Sequence, residues 1–356
     1  LFKSVNYKVN DGSDNDSKVI DITVEEKATG EITAGAGFGT DGGTLLFGIK
    51  ENNYLGKGLI VEAEANLSAD SIKGQFGVTN PNYNNTDKMV FSSFKASEID
   101  RLTSSGYKTN KTGFELGTKF EYLEDFKLGA SGRSYYEKIE TDSTASATQQ
   151  KQEGDYWDTF LNLDFDYDKR NQKFQTTKGY RSIYNLDIPL ISDTNTLTNS
   201  YDFRKYTEIY ENNRTSFSFS IKSTFSVTGE DVKLSERLLV PGSKLRGFEY
   251  GKVGPKDGTD FIGGNYVTSF NVQSNLPFLF ENAQNIDMVL FFDSANVWGV
   301  DYDSSIDDNN KIRSSIGVGI DWFTPIGPMT FSLSEALTKS STDVTEQFRF
   351  NIGTSF

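Results

Sequence analysis

Ser216-Phe217-Ser218-Phe219-Ser220-Ile221-Lys222-Ser223-Thr224-Phe225-Ser226-Val227 alternates with a period of two. Phe217, Phe219, Ile221, Phe225 and Val227 share one face, and Ser216, Ser218, Ser220, Lys222, Thr224 and Ser226 share the other. That period belongs to a β-strand, and a wholly polar second face fits a sheet whose two sides meet unlike environments. The reading recurs. Leu161, Leu163, Phe165 and Tyr167 oppose Asn162, Asp164, Asp166 and Asp168, while Ile316, Val318, Ile320 and Trp322 oppose Ser315, Gly317, Gly319 and Asp321. These runs are longer than the roughly 5 to 6 residues of soluble strands and suit a tilted strand crossing a bilayer, which needs about 9 to 11.

The expected fold class is therefore all-β: a 16-stranded antiparallel transmembrane β-barrel of outer-membrane type. Strands are expected near 31–40, 43–52, 58–68, 72–80, 87–100, 111–123, 125–140 and 154–168, then 178–191, 202–211, 214–227, 265–278, 286–299, 312–324, 327–338 and 346–356. Leu123 to Asp125, Tyr210 to Asn213 and Thr324 to Pro328 read as short turns; Thr141 to Glu153, Ser192 to Tyr201 and Val300 to Lys311 read as long loops. Short turns on one side and long loops on the other are the outer-membrane pattern. Residues 1–27 read differently, as two alternating runs, Phe2 to Val9 and Val19 to Glu25, around the turn-rich Asn10 to Lys18. They are expected to be the end of a preceding soluble domain, with the barrel over 28–356. The chain starts at Leu1 without an initiator Met or a charged-then-apolar leader, so such segments are expected upstream.

Composition narrows the function. The 356 residues carry a net charge of -14, with 28 Phe and 17 Tyr but no Cys or His. The longest apolar run, Met288 to Phe292, falls far short of the roughly 20 residues of a spanning helix. Without Cys or His there are no thiol nucleophiles, no hydrolytic triads and no ordinary zinc sites, so neither enzymatic activity nor a metal or other cofactor is expected. Nucleic acid is excluded as a partner, because phosphate binding needs a Lys/Arg field. Asp301, Asp303, Asp307 and Asp308 lie in a connection without the Gly and terminal Glu of a calcium-binding hand loop, and read as a solvated surface.

Two features stand out. The longest connection, Thr228 to Gly264, contains Pro241-Gly242-Ser243-Lys244-Leu245-Arg246-Gly247-Phe248-Glu249-Tyr250; Gly permits a tight turn, Phe can dock on a wall, and Arg suits a partly buried carboxylate. The first barrel strand reads Ile32-Thr33-Ala34-Gly35-Ala36-Gly37-Phe38-Gly39-Thr40, and its three glycines weaken it. No helix-forming run follows them, as a nucleotide-binding turn requires. The last strand places Phe348, Phe350, Ile352 and Phe356 on one face, with Gly353 interrupting it.

Leu245-Arg246-Gly247-Phe248 resembles the Val-Arg-Gly-Phe motif that the BamA family carries in a lumen loop between its eleventh and twelfth strands. Further resemblance lies in Phe291-Phe292-Asp293-Ser294-Ala295-Asn296-Val297-Trp298, in Gly319 to Pro328, in Asp168-Lys169-Arg170-Asn171 with Thr177-Lys178-Gly179, and in the ending Glu346 to Phe356. Phe2-Lys3-Ser4-Val5 through Val24-Glu25-Glu26 is similar to the end of the family's last POTRA domain. The resemblance implies location in the cell outer membrane and a role in inserting unfolded outer-membrane β-barrel substrates. Its implied partners are those substrates, accessory assembly lipoproteins and outer-membrane lipid. It also implies an anchor between Arg246 and Asp293, with Asn271 standing where the family usually has Glu, and a lateral seam between first and last strands involving Gly35, Gly37, Gly39, Gly353 and Phe356. A TamA-like insertase, a two-partner secretion transporter, a general porin and a soluble β-sandwich binding protein are the alternatives.

Overall fold

Alternation along each strand separates apolar from polar side chains across the wall of a closed barrel. The structure is a computed structural model describing residues 2–14, 16–279, 285–308, 310–324 and 327–353. Its strands are β1 (Gly30–Gly39), β2 (Gly42–Tyr54), β3 (Leu59–Ser68), β4 (Ser71–Asn80), β5 (Met89–Arg101), β6 (Tyr107–Leu123), β7 (Phe126–Thr141) and β8 (Gly154–Asp168). They continue as β9 (Gly179–Ser192), β10 (Thr196–Thr207), β11 (Thr215–Ser226), β12 (Tyr266–Asn275), β13 (Ile286–Trp298), β14 (Arg313–Thr324), β15 (Gly327–Thr338) and β16 (Phe348–Gly353). Each pairs with its sequence neighbours, and β16 returns to β1. The barrel is thus the expected 16-stranded antiparallel one.

Its burial is inverted relative to a soluble protein. Ile49, Phe76, Phe94, Phe114, Ile316 and Leu333 are exposed on the outside, while Glu115, Glu137, Asp158, Asn162, Asn271, Asp293 and Arg313 are buried within. That arrangement is stable where lipid meets the outer face, since closing the sheet on itself pairs backbone groups that hydrocarbon cannot satisfy. Phe2–Asp11 and Lys18–Glu26 pair as a hairpin that forms a separate two-stranded sheet. Tyr7 and Ile22 stand exposed on it.

Several expected boundaries move. β10 begins at Thr196, so the connection expected over Ser192 to Tyr201 shrinks to residues 193–195. The stretch Thr196 to Ser200 looks loop-like because Leu197 is its single apolar residue, but it pairs with β11, and Asn199 Nδ2 donates to Ser223 Oγ at 2.9 Å. β6 starts at Tyr107 rather than near 111, and the described part of β16 spans only Phe348–Gly353; Phe356 lies outside the described residues. Loop lengths obey the two-sided rule only in part. The two-residue connections 40–41 and 69–70 fall on the side that also carries the long connections 142–153, 227–265 and 299–312.

Candidate functional site

The connection between β11 and β12, residues 227–265, folds into the barrel. It carries two short 3-10 turns, Leu234–Glu236 and Gly242–Lys244, and a small ladder between Lys256–Asp257 and Asp260–Phe261. Leu238, Val240, Leu245, Phe248 and Val253 pack with Val267, Ala295 and Val297 of β12 and β13 into an apolar cluster. Burying such side chains stabilises by about 1.5 to 3 kcal/mol each, offsetting part of the entropy lost in ordering the loop; its hydrogen bonds and ion pairs to the wall add to this.

Arg246 projects from that cluster onto the β12–β13 wall. Its Nε donates to Asp293 Oδ2 at 2.7 Å and its Nη2 to Asp293 Oδ1 at 2.9 Å, a bidentate pair. The Arg246 backbone N–H also donates to Asp293 Oδ2, at 3.1 Å, and Asn271 Nδ2 reaches Asp293 Oδ1 at 2.9 Å. Asn271 and Asp293 are register partners, as are Gln273 and Phe291 one pleat away. Arg246 Nη1 donates to Gln273 Oε1 at 3.1 Å, and the guanidinium sits 3.5 Å from the Phe291 ring centroid. Gln273 and Phe291 escape a reading based on the motif alone, although period two places them on the same faces as Asn271 and Asp293. The amide of Asn271 fills a second role by donating to the Lys244 carbonyl at 2.7 Å.

Gly247 follows with φ +91°, and a Cβ there would stand 3.1 Å from Ser315 Cβ on β14. Its bare backbone lets Ser315 Oγ donate to the Arg246 carbonyl. The chain then runs alongside the segment entering β16: Phe248 bridges Thr345, the Glu346 N–H donates to the Gly247 carbonyl at 3.1 Å, and the Glu249 N–H donates to the Val344 carbonyl at 3.0 Å. Phe248 is buried there, as is Leu245. Arg349 of β16 joins three elements, with Nη1 2.8 Å from Asp41 Oδ2, Nη2 3.0 Å from Glu346 Oε2, and Nη2 3.5 Å from the Phe248 carbonyl.

Among the described residues the β16–β1 junction is short: it comprises the pairs Asn351↔Gly39, Ile352↔Phe38 and Gly353↔Gly37, extended by the Thr40 N–H on the Phe350 carbonyl at 3.0 Å. By contrast, β6 and β7 pair from Tyr107↔Thr141 to Leu123↔Phe126. Gly35 lies beyond the described part of this ladder and pairs with Leu46 of β2. Gly353 has φ +101°, and a Cβ would fall 2.3 Å from the Ala36 carbonyl oxygen; only glycine lets the strands approach so closely in that conformation. On the outer face, Phe38 and Phe350 pack with ring centroids 5.9 Å apart.

An Omp85 superfamily domain model matches residues 53–356. The chain belongs to the Omp85 superfamily. This Omp85 barrel is similar to the outer membrane protein assembly factors BamA of Neorickettsia risticii, 21% identical over 354 residues, and of Neisseria meningitidis serogroup B, 22% identical over 397 residues. Those alignments cover 96% and 95% of this chain but 47% and 48% of the relatives, so the chain spans about half the length of the curated relatives it matches. The crystal structure of BamA from Haemophilus ducreyi lacking POTRA domains 1-3 superposes with a TM-score of 0.89 at 21% identity, covering 100% of this chain and 76% of that one. The Omp85 barrel is therefore a protein of the outer membrane.

Proposed function

We propose that this barrel assembles and inserts β-barrel proteins into the outer membrane through a lateral seam between β1 and β16. The brevity of that junction among the described residues, with glycine at three of its positions, carries the reading. In hydrocarbon an unpaired backbone group costs several kcal/mol, so a wall opens where the fewest pairs are lost and where another strand can replace them. The β16–β1 ladder holds three described pairs, and Gly37, Gly39 and Gly353 sit within it. An opened β1 edge is a template for β-augmentation by an incoming strand. Catalysis here lowers an insertion barrier without covalent chemistry.

The lumen loop supports the same reading. Anchored at Asp293 through Arg246 and Asn271, it runs through Leu245, Gly247 and Phe248 to the segment leading into β16, so loop position and seam are joined physically. A general porin needs an open lumen and gains nothing from a loop locked to a short junction. Residues 1–27 fit as the end of a POTRA domain ahead of a barrel over 28–356. Unfolded outer-membrane barrels, accessory assembly lipoproteins and outer-membrane lipid are the proposed partners.

Full-length protein reconstituted in vesicles should accelerate heat-modifiable folding of an added urea-denatured outer-membrane barrel, and should show no large steady pore in planar bilayers. No acceleration together with a steady open conductance would instead establish a porin.

A further inference from the structure

Lys233 opens the lumen loop's descent and is almost fully buried, with 2% side-chain exposure. Its ammonium contacts Glu137 Oε2 of β7 at 3.0 Å, Asp158 of β8, and Glu236 Oε1 of the loop at 3.5 Å, and it lies 4.9 Å from the Tyr156 ring centroid. Glu137 and Asp158 are as buried as the lysine. Burial alone would lower the Lys233 pKa, but Glu236, Glu137 and Asp158 together hold it well above the ordinary lysine value. The neighbouring loop residues are pinned to the same place: Ser235 Oγ donates to Glu137 Oε2 at 3.1 Å, and the Leu234 N–H to Gln152 Oε1 at 2.9 Å.

The location of this cluster matters more than its strength. In the closed order of strands, seven separate β8 from β16 in either direction, so Lys233 grips the wall facing the seam. The loop then crosses to the β13 wall, where Arg246 meets Asp293, and runs on to the segment entering β16 at Phe248. A strap held at one end only can pivot, whereas one held at both walls transmits displacement.

We propose that Lys233 is a positioning residue for the seam: it fixes the far end of the lumen loop to β7 and β8, so that the loop holds β16 in place from the opposite wall. This rests on the seam reading above, and its test separates the two.

These 356 residues contain no cysteine, so thiols introduced into them report unambiguously once any cysteine elsewhere in the full-length protein is replaced by serine. In full-length protein, a Leu234→Cys thiol, at a side chain that is fully buried, should be shielded from a charged maleimide, and Lys233→Met or the gentler Glu137→Gln should raise its labelling rate at least tenfold. In a Phe38→Cys/Ile352→Cys background the same substitutions should slow seam disulfide formation at least threefold, while the folded-band shift in unheated gels, which reports barrel integrity, stays unchanged. Loop release without any change at the seam would reduce Lys233 to a structural anchor and overturn the proposal; unchanged labelling with both variants would do so as well. A seam that responds to Lys233 while its crosslinking leaves substrate assembly intact would sustain this inference and refute the proposed function instead.

Discussion

Replacing Arg246 by Ala removes two charge-assisted donors from Asp293 and leaves that carboxylate, 0% exposed, with the backbone N–H of residue 246 and the Asn271 amide. Stranding one partner of a buried pair costs roughly 3 to 5 kcal/mol. The two surviving neutral donors, worth about 1 kcal/mol each, pull the figure to the lower end, about 3 kcal/mol. At about 1.4 kcal/mol per tenfold, the population of loop detached from the wall should rise on the order of 100-fold. Native-state cleavage by a Lys-specific protease at Lys244 and Lys252 reads that population, provided reclosure outpaces cleavage. Arg246→Ala should be cut on the order of 100-fold faster than the parent. Adding Asp293→Asn should recover about tenfold of this, because the stranded charge disappears with it. An increase below threefold, or a double variant no better than the single one, would show that the lumen solvates Asp293 and that the anchor is not what holds the loop.

Further outcomes follow from the same geometry. Gly353→Ala forces a Cβ to 2.3 Å from the Ala36 carbonyl at φ +101°, a strain of about 1 to 3 kcal/mol from the backbone alone. It should loosen the β16–β1 ladder, seen as slower disulfide formation between cysteines at 38 and 352; an unchanged rate would mean that β16 does not need its present path. Gly247→Ala meets Ser315 at positive φ and should speed loop proteolysis at least tenfold, whereas Ser315→Ala, losing one hydrogen bond to the Arg246 carbonyl, should change it by no more than about tenfold. Burial, and after it the nearby Arg204, holds the Lys244 pKa below the ordinary lysine value. The docked loop thus binds fewer protons than the released loop between the two values, and docking should strengthen as pH rises through that window. Hydrogen-exchange protection of residues 245–248, corrected for intrinsic rates, should increase toward pH 10, and Lys244→Met should flatten the dependence.

Periodicity made the barrel legible and its limits show where the signal ends. Alternation depends on lipid at one face, so it identifies strands such as Ser216 to Val227 wherever they cross the membrane. It fails over Thr196 to Ser200, where β10 runs on with Leu197 as the single apolar side chain. For the loop, the Arg-Gly-Phe centre marks it as ordered, but assigning Arg246 to Asp293 needed a family resemblance, since period two cannot say which wall a loop meets. Gln273 and Phe291 were within reach of the pattern, one pleat from Asn271 and Asp293. Lys233 was not, because its acceptors Glu137 and Asp158 stand 96 and 75 residues away in the chain and nothing local marks them. Gly353 was visible as an interruption, while the close approach to Ala36 that requires it exists only once the barrel closes.

The central claim is that the β16–β1 junction must open for substrate to enter. Its most direct test is a reversible lock, placing cysteines at Phe38 and Ile352, which face each other across the seam, in full-length protein reconstituted with its accessory partners. Oxidation should abolish folding of an added outer-membrane barrel and reduction should restore it, with single-cysteine controls indifferent to both treatments. Full assembly activity in the quantitatively oxidised protein would contradict the account.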